Sequence, residues 1–402
     1  MKIALVSEHA SPLAILGGVD SGGQNVYVAA LARELTRRGN EVVVFTRRCS
    51  RVSPATVSLD GYTVEHLLAG PPTEVPKDEL LPHMGEFADR LHEALRDGGF
   101  DLVHAHFWMS GLAACAAAKP LGIPVVQTFH ALGSVKRRHQ GHRDTSPASR
   151  IALERRLCRE VDHVIATCTD EVAELYSLGL PSGRVSVIPC GVDTDLFRPS
   201  GADFKTPRFA TVGRLVERKG VADAIAALAE VPEATLVVAG GSSARSILED
   251  AEARRLGRLA ERLGVRRRVR FVGSLPRGEV ARLMSRSLAV ISVPWYEPFG
   301  IVPVEAMACG RAVIGTGVGG LLDTVDEGVT GTLVEPRRPD QIAQAMRDLM
   351  ADPAKASSWG RSGRRKAVRE YRWDRVAEAV EGVYLRVNAG VPSGAVPAEV
   401  AS

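Results

Sequence analysis

The chain has 402 residues, too many for one ordinary hydrophobic core, so we expect two domains of about 200 residues each. Its 51 basic and 47 acidic residues leave a net charge of +4, which gives no reason to expect a nucleic-acid partner. Six cysteines without a C-x-x-C pair indicate reduced thiols in a cytoplasmic protein. No stretch approaches the roughly 18 apolar residues of a membrane span, so any membrane contact would be peripheral. Glu8 and His9 interrupt the apolar N-terminus too early for a signal peptide.

The first predicted strand, Lys2 to Ser7, leads into a glycine-rich turn (residues 17–23) and a helix that ends at Gly39. The turn lacks the G-x-G-x-x-G spacing of dinucleotide binders, and no acidic residue follows the second strand, so a nicotinamide site is disfavoured. Glycine lets backbone amides approach an anion closely. We therefore expect the amides of Gly22 and Gly23 to contact a phosphate, with a flexible turn as the alternative.

Histidines mark the ends of two further predicted strands. His104 and His106 occupy alternate positions and so share a face, but no third ligand stands at a suitable spacing for a metal. We expect hydrogen-bonded core or site histidines instead. His130 ends the next strand, ahead of the basic segment 136–138. A histidine there could donate to a sugar hydroxyl, and a purely structural role is the alternative.

A linker rich in Pro, Gly and Ser, residues 197–207, precedes the second half. The D-x-D pattern at Asp193 and Asp195 is interpreted as a turn, not a metal site. After the strand 208–212, Arg214 and Lys219 near a helix start have the form of a diphosphate clamp, with ordinary surface charge as the alternative. The arginine-rich run 266–270 could face an anionic lipid or a phosphorylated partner, but a solvated surface is favoured.

The most informative stretch follows the predicted buried strand 288–293. A loop carries Glu297, and a predicted helix from Phe299 to Ala308 carries Glu305 about two turns in. Free N–H groups at the helix start, those of Phe299, Gly300 and Ile301, suit a diphosphate. The two carboxylates could accept hydrogen bonds from sugar and ribose hydroxyls. Solvated glutamates are the alternative.

This stretch resembles the E-x7-E motif of the retaining glycosyltransferases of family 4, which have the GT-B architecture. Residues 20–28 are similar to the family's glycine loop, residues 189–193 to its domain junction, and residues 212–220 to its donor motif. The resemblance covers essentially residues 1–390. Within the family, the chain is similar to the inositol-phosphate N-acetylglucosaminyltransferase and sucrose-phosphate synthase-like group.

The resemblance implies an α/β fold with two Rossmann-like domains facing an interdomain cleft. We expect an acceptor-side domain at residues 1–197, a nucleotide-sugar domain at 206–370, a helix at 371–388 that crosses back to the first domain, and a disordered tail at 389–402. The implied reaction is transfer of a hexosyl group from a nucleoside-diphosphate sugar, with UDP favoured, to a hydroxyl acceptor, with retention and without a metal or cofactor. We expect a monomer or a homodimer.

The resemblance also assigns roles. Arg214 and Lys219 would stabilise the leaving phosphate, Glu297 and His130 would contact the transferred sugar, and Glu305 the ribose. The implied catalytic residues are His130, Glu297, Arg214 and Lys219. The implied donor-binding residues are Gly22, Gly23, Arg214, Lys219, Glu297, Phe299, Gly300, Ile301 and Glu305. The implied acceptor-binding residues are Asn25, Lys77, His106, Phe107, Lys136 and Arg150.

Two acceptor positions depart from the inositol-phosphate enzymes, which have Tyr and Thr where this chain has Phe107 and Ala131. Because both hydroxyl donors are lost, we expect inositol 3-phosphate to be a poor acceptor and a less charged hydroxyl compound to be used, with residues 136–138 contacting a different anionic group. Two alternatives stay open: an inositol 3-phosphate N-acetylglucosaminyltransferase proper, and a catalytically silent sugar-nucleotide-binding protein.

Overall fold

The computed structural model describes residues 1–13, 22–200 and 207–390. These residues form two compact units. The first unit comprises residues 1–13, 22–189 and 373–390, and the second comprises residues 190–200 and 207–372. Parts of the predicted glycine-rich turn (17–21), of the linker (201–206) and of the tail (391–402) lie outside the described residues.

The described residues of the first unit form an eight-stranded sheet in the order β3-β4-β2-β1-β5-β6-β7-β8. Its strands are β1 (Lys2–Val6), β2 (Glu41–Arg47), β3 (Thr56–Leu59), β4 (Tyr62–Leu67), β5 (Leu102–His106), β6 (Val125–Thr128), β7 (His163–Ala166) and β8 (Val185–Val187). All pairs are parallel except β3 with β4. In the central register, Leu5 pairs with Val44 of β2 and with His104 of β5.

The described part of the second unit forms a six-stranded parallel sheet in the order β11-β10-β9-β12-β13-β14. Its strands are β9 (Arg208–Val212), β10 (Thr235–Ser243), β11 (Val269–Ser274), β12 (Ala289–Ser292), β13 (Ala312–Thr316) and β14 (Gly331–Val334). Strands β12 and β13 are almost entirely buried, which explains their near-continuous apolar sequences. The predicted class of two Rossmann-like α/β domains is confirmed.

Helices connect the strands and cover the sheets. In the first unit they are α1 (Gly23–Arg37), α2 (Met84–Gly98), α3 (Trp108–Ala118), α4 (Gly133–Gln140), α5 (Arg150–Glu160) and α6 (Thr169–Ser177). In the second unit they are α7 (Val221–Ala229), α8 (Ala251–Arg262), α9 (Arg277–Ser285), α10 (Ile301–Ala308), α11 (Leu321–Thr324), α12 (Pro339–Ala351) and α13 (Pro353–Glu370). The last helix, α14 (Trp373–Asn388), belongs to the first unit.

Helix α14 is tied to the first unit by polar contacts. Its Glu381 accepts hydrogen bonds from Asn40 at 2.6 Å and from Arg38 at 2.7 Å. Its buried Tyr384 hydroxyl lies 2.6 Å from Nδ1 of His104. Among the helices that the structure describes, none combines the length and the apolar character that a membrane crossing needs.

Each sheet has one point where the strand order reverses. In the first unit the chain leaves β1 toward β2 on one side and returns on the other side with β5. In the second unit it proceeds from β9 to β11 on one side and continues on the other side with β12. Open parallel sheets bind ligands outside the carboxyl ends of the strands at such a switch point. The residues that follow β1, β5, β9 and β12 are therefore the first candidates for a site.

Candidate functional site

The loops after β9 and β12 meet at the switch point of the second unit. Gly220 has a φ of +69°, and a Cβ atom there would lie 2.0 Å from the carbonyl oxygen of Val293. Only glycine fits both the backbone conformation and the close approach. The N–H of Trp295 also donates to the carbonyl of Arg218 at 2.8 Å. These contacts hold the segment that carries Lys219 against the segment that carries Glu297.

Lys219 and Glu297 form an ion pair through Nζ and Oε2, with side chains that are 20% and 15% exposed. Burial alone would raise the pKa of Glu297, but the charges of Lys219, Arg218 and Arg214 outweigh burial and hold that pKa below its usual value. Glu297 is therefore ionised at neutral pH. Arg214 and Lys219 line one pocket, together with residues such as Gly213 and Ser292. The structure thus brings three predicted site residues together.

A pair of glycines supports the Glu297 loop. The N–H of Gly320 donates to the carbonyl of Glu297 at 3.0 Å. A Cβ atom on Gly319, which has a φ of +50°, would lie 2.1 Å from the same carbonyl oxygen, and one on Gly320 would lie 2.2 Å from that of Phe299. The loop can adopt this position only because both residues lack a side chain.

Helix α10 begins at Ile301, two residues later than the sequence predicts. Gly300 precedes it with a φ of +98°, which excludes Phe299 and Gly300 from the helix. Within residues 1–13, 22–200 and 207–390, the N–H groups of Phe299, Gly300 and Ile301 have no hydrogen-bond acceptor. Three adjacent donors at a helix start are an arrangement suited to an anion.

Glu305 is buried in α10 and pairs with an arginine that the sequence analysis missed. Its Oε1 lies 3.1 Å from a terminal nitrogen of Arg277, at the first position of α9. Burial raises the pKa of Glu305 to about 7, because Arg277 offsets only part of the burial effect. The Arg277 guanidinium also lies over the Phe197 ring, 4.9 Å from its centre. Nothing in the local sequence of Arg277 indicated this pair, which depends on the packing of α9 against α10.

In the first unit, His130 and His106 form a hydrogen-bonded pair, with His130 Nε2 lying 3.1 Å from His106 Nδ1. Burial and the nearby His9 lower the pKa of His130 to about 3, and burial also lowers that of His106, so both rings are neutral. The buried Nε2 of His106 has no partner among the described residues. Because buried orphan N–H groups are rarer than orphan acceptors, the His106 proton is placed on Nδ1 and donated to His130. His130 then carries its own proton on Nδ1, available to a ligand.

His104 is a core residue. It is buried, and its two ring nitrogens bond Tyr384 at 2.6 Å and Thr128 at 2.9 Å. Burial and, to a smaller extent, the nearby His130 lower the pKa of His104 to about 3. In the part of the chain that the structure describes, no group of three His, Cys, Asp or Glu side chains is arranged to hold a metal ion.

Phe107 has an unusual backbone at the carboxyl end of β5. Its φ of +82° and ψ of 156° fall in a region that is essentially restricted to glycine. Its ring lies 4.9 Å from the ring of His9, centre to centre, and 5.6 Å from Nζ of Lys77. The Arg150 guanidinium lies 5.1 Å from the same ring centre. Three of the predicted acceptor residues, Lys77, Phe107 and Arg150, are therefore neighbours.

The predicted cations of the acceptor side are already paired. Arg150 is buried, and it donates through Nε to Glu154 at 2.9 Å, through one terminal nitrogen to Ser146 at 3.2 Å and through the other to the Ala131 carbonyl at 2.6 Å. Lys136 contacts Asp144 at 3.0 Å. In the same basic segment, Arg137 also pairs with Asp144, and Arg138 pairs with Glu174. These charges are largely neutralised within the protein.

Asn25, Gly22 and Gly23 lie at the start of α1. The Asn25 side chain accepts from the Gly22 N–H at 2.9 Å and donates to the Ser11 carbonyl at 2.9 Å, so both ends of its amide serve the local fold. The Gly22 amide is consequently engaged. That of Gly23 has no acceptor among the residues described.

Two family models match the chain. The model described as Glycosyltransferase Family 4 matches residues 21–196, and that described as Glycosyl transferases group 1 matches residues 192–366. The D-inositol 3-phosphate glycosyltransferase 1 of Catenulispora acidiphila is 35% identical over 95% of this chain and 95% of its own length. The D-inositol 3-phosphate glycosyltransferase of Mycolicibacterium paratuberculosis is 34% identical over 96% of this chain and 90% of its own length.

Solved structures give the same picture of the fold. Sucrose-phosphate synthase from Thermosynechococcus elongatus is 32% identical with a TM-score of 0.89, covering 97% of this chain and 99% of that one. HepE of Anabaena in complex with UDP and glucose is 21% identical with a TM-score of 0.75, covering 95% of this chain and 99% of that one. At that lower identity, the second likeness concerns the fold alone.

Proposed function

Since this chain belongs to the GT-B glycosyltransferases of family 4 and uses a nucleotide-sugar donor, we propose that it transfers a hexosyl group from a UDP-sugar to a hydroxyl acceptor with retention of configuration. The observation that carries the proposal is the cluster of Arg214, Lys219 and Glu297 at the switch point of the second sheet. Two cations and an ionised carboxylate at the carboxyl ends of two neighbouring strands have charges suited to binding a diphosphate joined to a sugar.

Arg214 and Lys219 are the proposed stabilisers of the leaving group. As the bond between the sugar and the β-phosphate breaks, negative charge grows on the phosphate, and preorganised cations lower the energy of that state. The pair with Glu297 fixes the position of the Lys219 ammonium before the donor binds. Glu297, held ionised by its cationic neighbours, can accept hydrogen bonds from sugar hydroxyls.

His130 is proposed to contact the transferred sugar. Its Nε2 accepts a hydrogen bond from the Nδ1–H of His106, so its own Nδ1–H is oriented by a buried partner and can donate to a hydroxyl. Because the His130 ring stays neutral, it acts as a hydrogen-bond donor and not as a fixed positive charge. No covalent nucleophile is proposed. The departing phosphate would deprotonate the acceptor on the same face of the sugar.

The paired cations support a weakly charged acceptor. A free phosphate would have to compete with Glu154 for Arg150 and with Asp144 for Lys136. In addition, neither Phe107 nor Ala131 offers a hydroxyl. Losing two neutral donors to a charged group would weaken phosphate binding by roughly 1.5–3 kcal/mol each. We therefore propose a hydroxyl acceptor without a phosphate at this position.

Inositol 3-phosphate is the second candidate acceptor, and the names of relatives at 34–35% identity favour it. The assay incubates the protein with UDP-N-acetylglucosamine and inositol 3-phosphate and follows UDP release. Turnover with a Michaelis constant between about 1 μM and 1 mM would establish this acceptor and overturn the proposal of a less charged one.

A thermal-shift screen with UDP, GDP and ADP tests the donor. A ligand at 100 times its dissociation constant stabilises the fold by about 2.7 kcal/mol, which is readily measured. Transfer from the matching sugar to a panel of hydroxyl acceptors, with the anomeric configuration of the product read by NMR, tests the reaction. Binding without turnover on any acceptor would indicate a silent binding protein, and an inverted product would refute retention.

A further inference from the structure

We propose that the buried ion pair of Arg150 and Glu154 is a positioning device that fixes the backbone after His130 and does not bind the acceptor. This inference rests on the proposed function, because His130 is the proposed contact to the transferred sugar. It gives Arg150, which the resemblance places among the acceptor-binding residues, a different role. Arg150 acts on the reaction through His130.

The backbone of His130 needs such support. His130 follows β6 and has a φ of +59°, in the left-handed region where the Cβ atom crowds the carbonyl oxygen that follows. A side chain keeps this conformation only where its surroundings fix it. The direction of the His130 ring therefore depends on what holds the residues that come after it.

Arg150 holds the first of these residues. One terminal nitrogen of its guanidinium donates to the carbonyl of Ala131 at 2.6 Å, a short charge-assisted hydrogen bond. The other terminal nitrogen donates to Ser146, and Nε donates to Glu154, so each of the three nitrogens has a protein acceptor. Only 3% of the Arg150 side chain is exposed. The guanidinium is therefore enclosed by the protein and directed at the backbone of this loop.

Glu154 holds the other end of the same loop. Both of its carboxylate oxygens accept from the N–H of Gly133, at 3.1 and 2.9 Å. Gly133 is the first residue of α4, and the N-cap residue, Leu132, makes no side-chain hydrogen bond, so Glu154 of α5 replaces the missing cap. A Cβ atom on Gly133 would lie 3.0 Å from both Glu154 Oε2 and Arg150 Nε. The ion pair thus packs directly against this backbone.

The pair also supports the neighbouring strand end. The Arg150 guanidinium lies 5.1 Å from the centre of the Phe107 ring and 5.8 Å from that of the Trp108 ring. Phe107 follows β5 and has a φ of +82°. One buried ion pair therefore contacts the ends of both β5 and β6, each of which carries a side chain with a positive φ.

Stability alone gives no reason to bury these two charges. Apolar side chains of similar volume in place of a buried ion pair are often neutral or stabilising, whereas loss of one partner leaves a buried charge uncompensated and destabilises the fold. Replacing both residues together therefore separates a positioning role from a structural one. The fold is retained, while Ala131 and Gly133 lose the hydrogen bonds that hold the loop.

The test variant combines Arg150→Met with Glu154→Leu. We expect its thermal midpoint to stay close to that of the wild type, because an apolar pair replaces a buried ion pair. The kcat for transfer should fall roughly 10- to 100-fold, since a misplacement of about 1 Å at a reacting centre can cost about 100-fold. The acceptor KM and the donor dissociation constant should stay close to their wild-type values, because Arg150 contacts neither ligand.

Hydrogen exchange adds a measurement that needs no substrate. The backbone amides of residues 129–135 should exchange faster in the double variant than in the wild type, because no carboxylate accepts from the Gly133 N–H. Gly133→Ala is a second variant, which keeps both charges and pushes the ion pair away from the loop. It should also lower kcat at an unchanged acceptor KM, and it decides the question should the double variant fail to fold.

The matched control combines Arg156→Met with Glu160→Leu on the same helix. These residues form an ion pair at 2.6 Å with the same spacing of four, but their side chains are 64% and 36% exposed. The control should leave kcat and the exchange of residues 129–135 unchanged.

A wild-type kcat in the folded Arg150 and Glu154 double variant would overturn the inference. A raised acceptor KM at unchanged kcat would overturn it as well, because Arg150 would then be an acceptor contact. Absence of transfer by the wild type would instead refute the proposed function, and hydrogen exchange would still test whether the pair holds the loop.

Discussion

The raised pKa of Glu305 predicts that nucleotide binding depends on pH. If the ionised carboxylate accepts hydrogen bonds from the ribose hydroxyls, protonation removes the site, and a pKa of about 7 places the change near neutrality. The observed dissociation constant should scale as one plus ten to the power of the pKa minus the pH. Between pH 8 and pH 6 this factor rises about tenfold, or about 1.4 kcal/mol. Below pH 6 the loss should approach tenfold per pH unit.

Isothermal titration calorimetry with UDP at pH 5, 6, 7 and 8 measures the effect. The terminal phosphate of UDP also titrates near pH 6, so the reference is Glu305→Gln with the same ligand. That variant should bind roughly tenfold more weakly than the wild type at pH 8, and only the titration of the ligand should remain in its pH profile. The difference between the two profiles isolates Glu305.

Arg277 supplies a second, directional test. Its positive charge 3.1 Å from Glu305 holds the carboxyl pKa down, so Arg277→Ala should raise that pKa and shift the loss of affinity to higher pH. Arg282→Ala, an exposed arginine on the same helix, is the control and should not move the profile. Identical pH profiles for the wild type and Glu305→Gln would refute the reasoning, since Glu305 would then not act as an ionised acceptor.

The remaining predictions concern the leaving group, the sugar and the acceptor. Lys219→Ala should raise the activation free energy by several kcal/mol and so lower kcat, whereas EDTA should leave the wild type active. A loss of activity with the chelator that magnesium or manganese restores would contradict this prediction. Glu297→Ala should lower kcat more than it weakens UDP binding in calorimetry, because its contact strengthens in the transition state, and equal small effects would indicate a solvated carboxylate. Phe107→Tyr with Ala131→Thr should raise kcat/KM for inositol 3-phosphate at least tenfold by restoring two hydroxyl donors, and unchanged kinetics would show that these positions do not face the acceptor.

Hydrophobic patterning was sufficient to predict the regular elements around the proposed donor site. The apolar run 288–293 was predicted as a buried strand, and the structure has β12 there at Ala289–Ser292. The predicted start of the next helix at Phe299 was wrong by two residues, because Gly300 has a φ of +98°. Residue type alone shows that glycine permits this conformation but not that it adopts it.

The sequence could not predict which residue each buried carboxylate contacts. Arg277 and Glu305 lie on different helices, and Glu8 and Ser110 are 102 residues apart, so no local period relates them. Tertiary packing sets each pair. It decides whether the pKa of a carboxylate is raised and which hydrogen bonds that carboxylate accepts. The motif residues were accordingly predicted without the neighbours that tune them.

Phe107 shows why the proposed acceptor site was harder to predict than the proposed donor site. Glycine is the residue expected at its φ and ψ, and the sequence places a bulky aromatic residue there. The structure supplies the compensation: the Phe107 N–H donates to the Thr128 carbonyl at 2.9 Å, and its own carbonyl accepts from Gln127 at 3.1 Å and from the Gly111 N–H at 3.1 Å. With these contacts the strain fixes an apolar ring between His9 and the Arg150 guanidinium, where a phosphate-binding site would need hydroxyl donors. A rigid apolar wall at this position favours the C–H face of an uncharged polyol over a phosphate, whichever nucleotide the second unit binds.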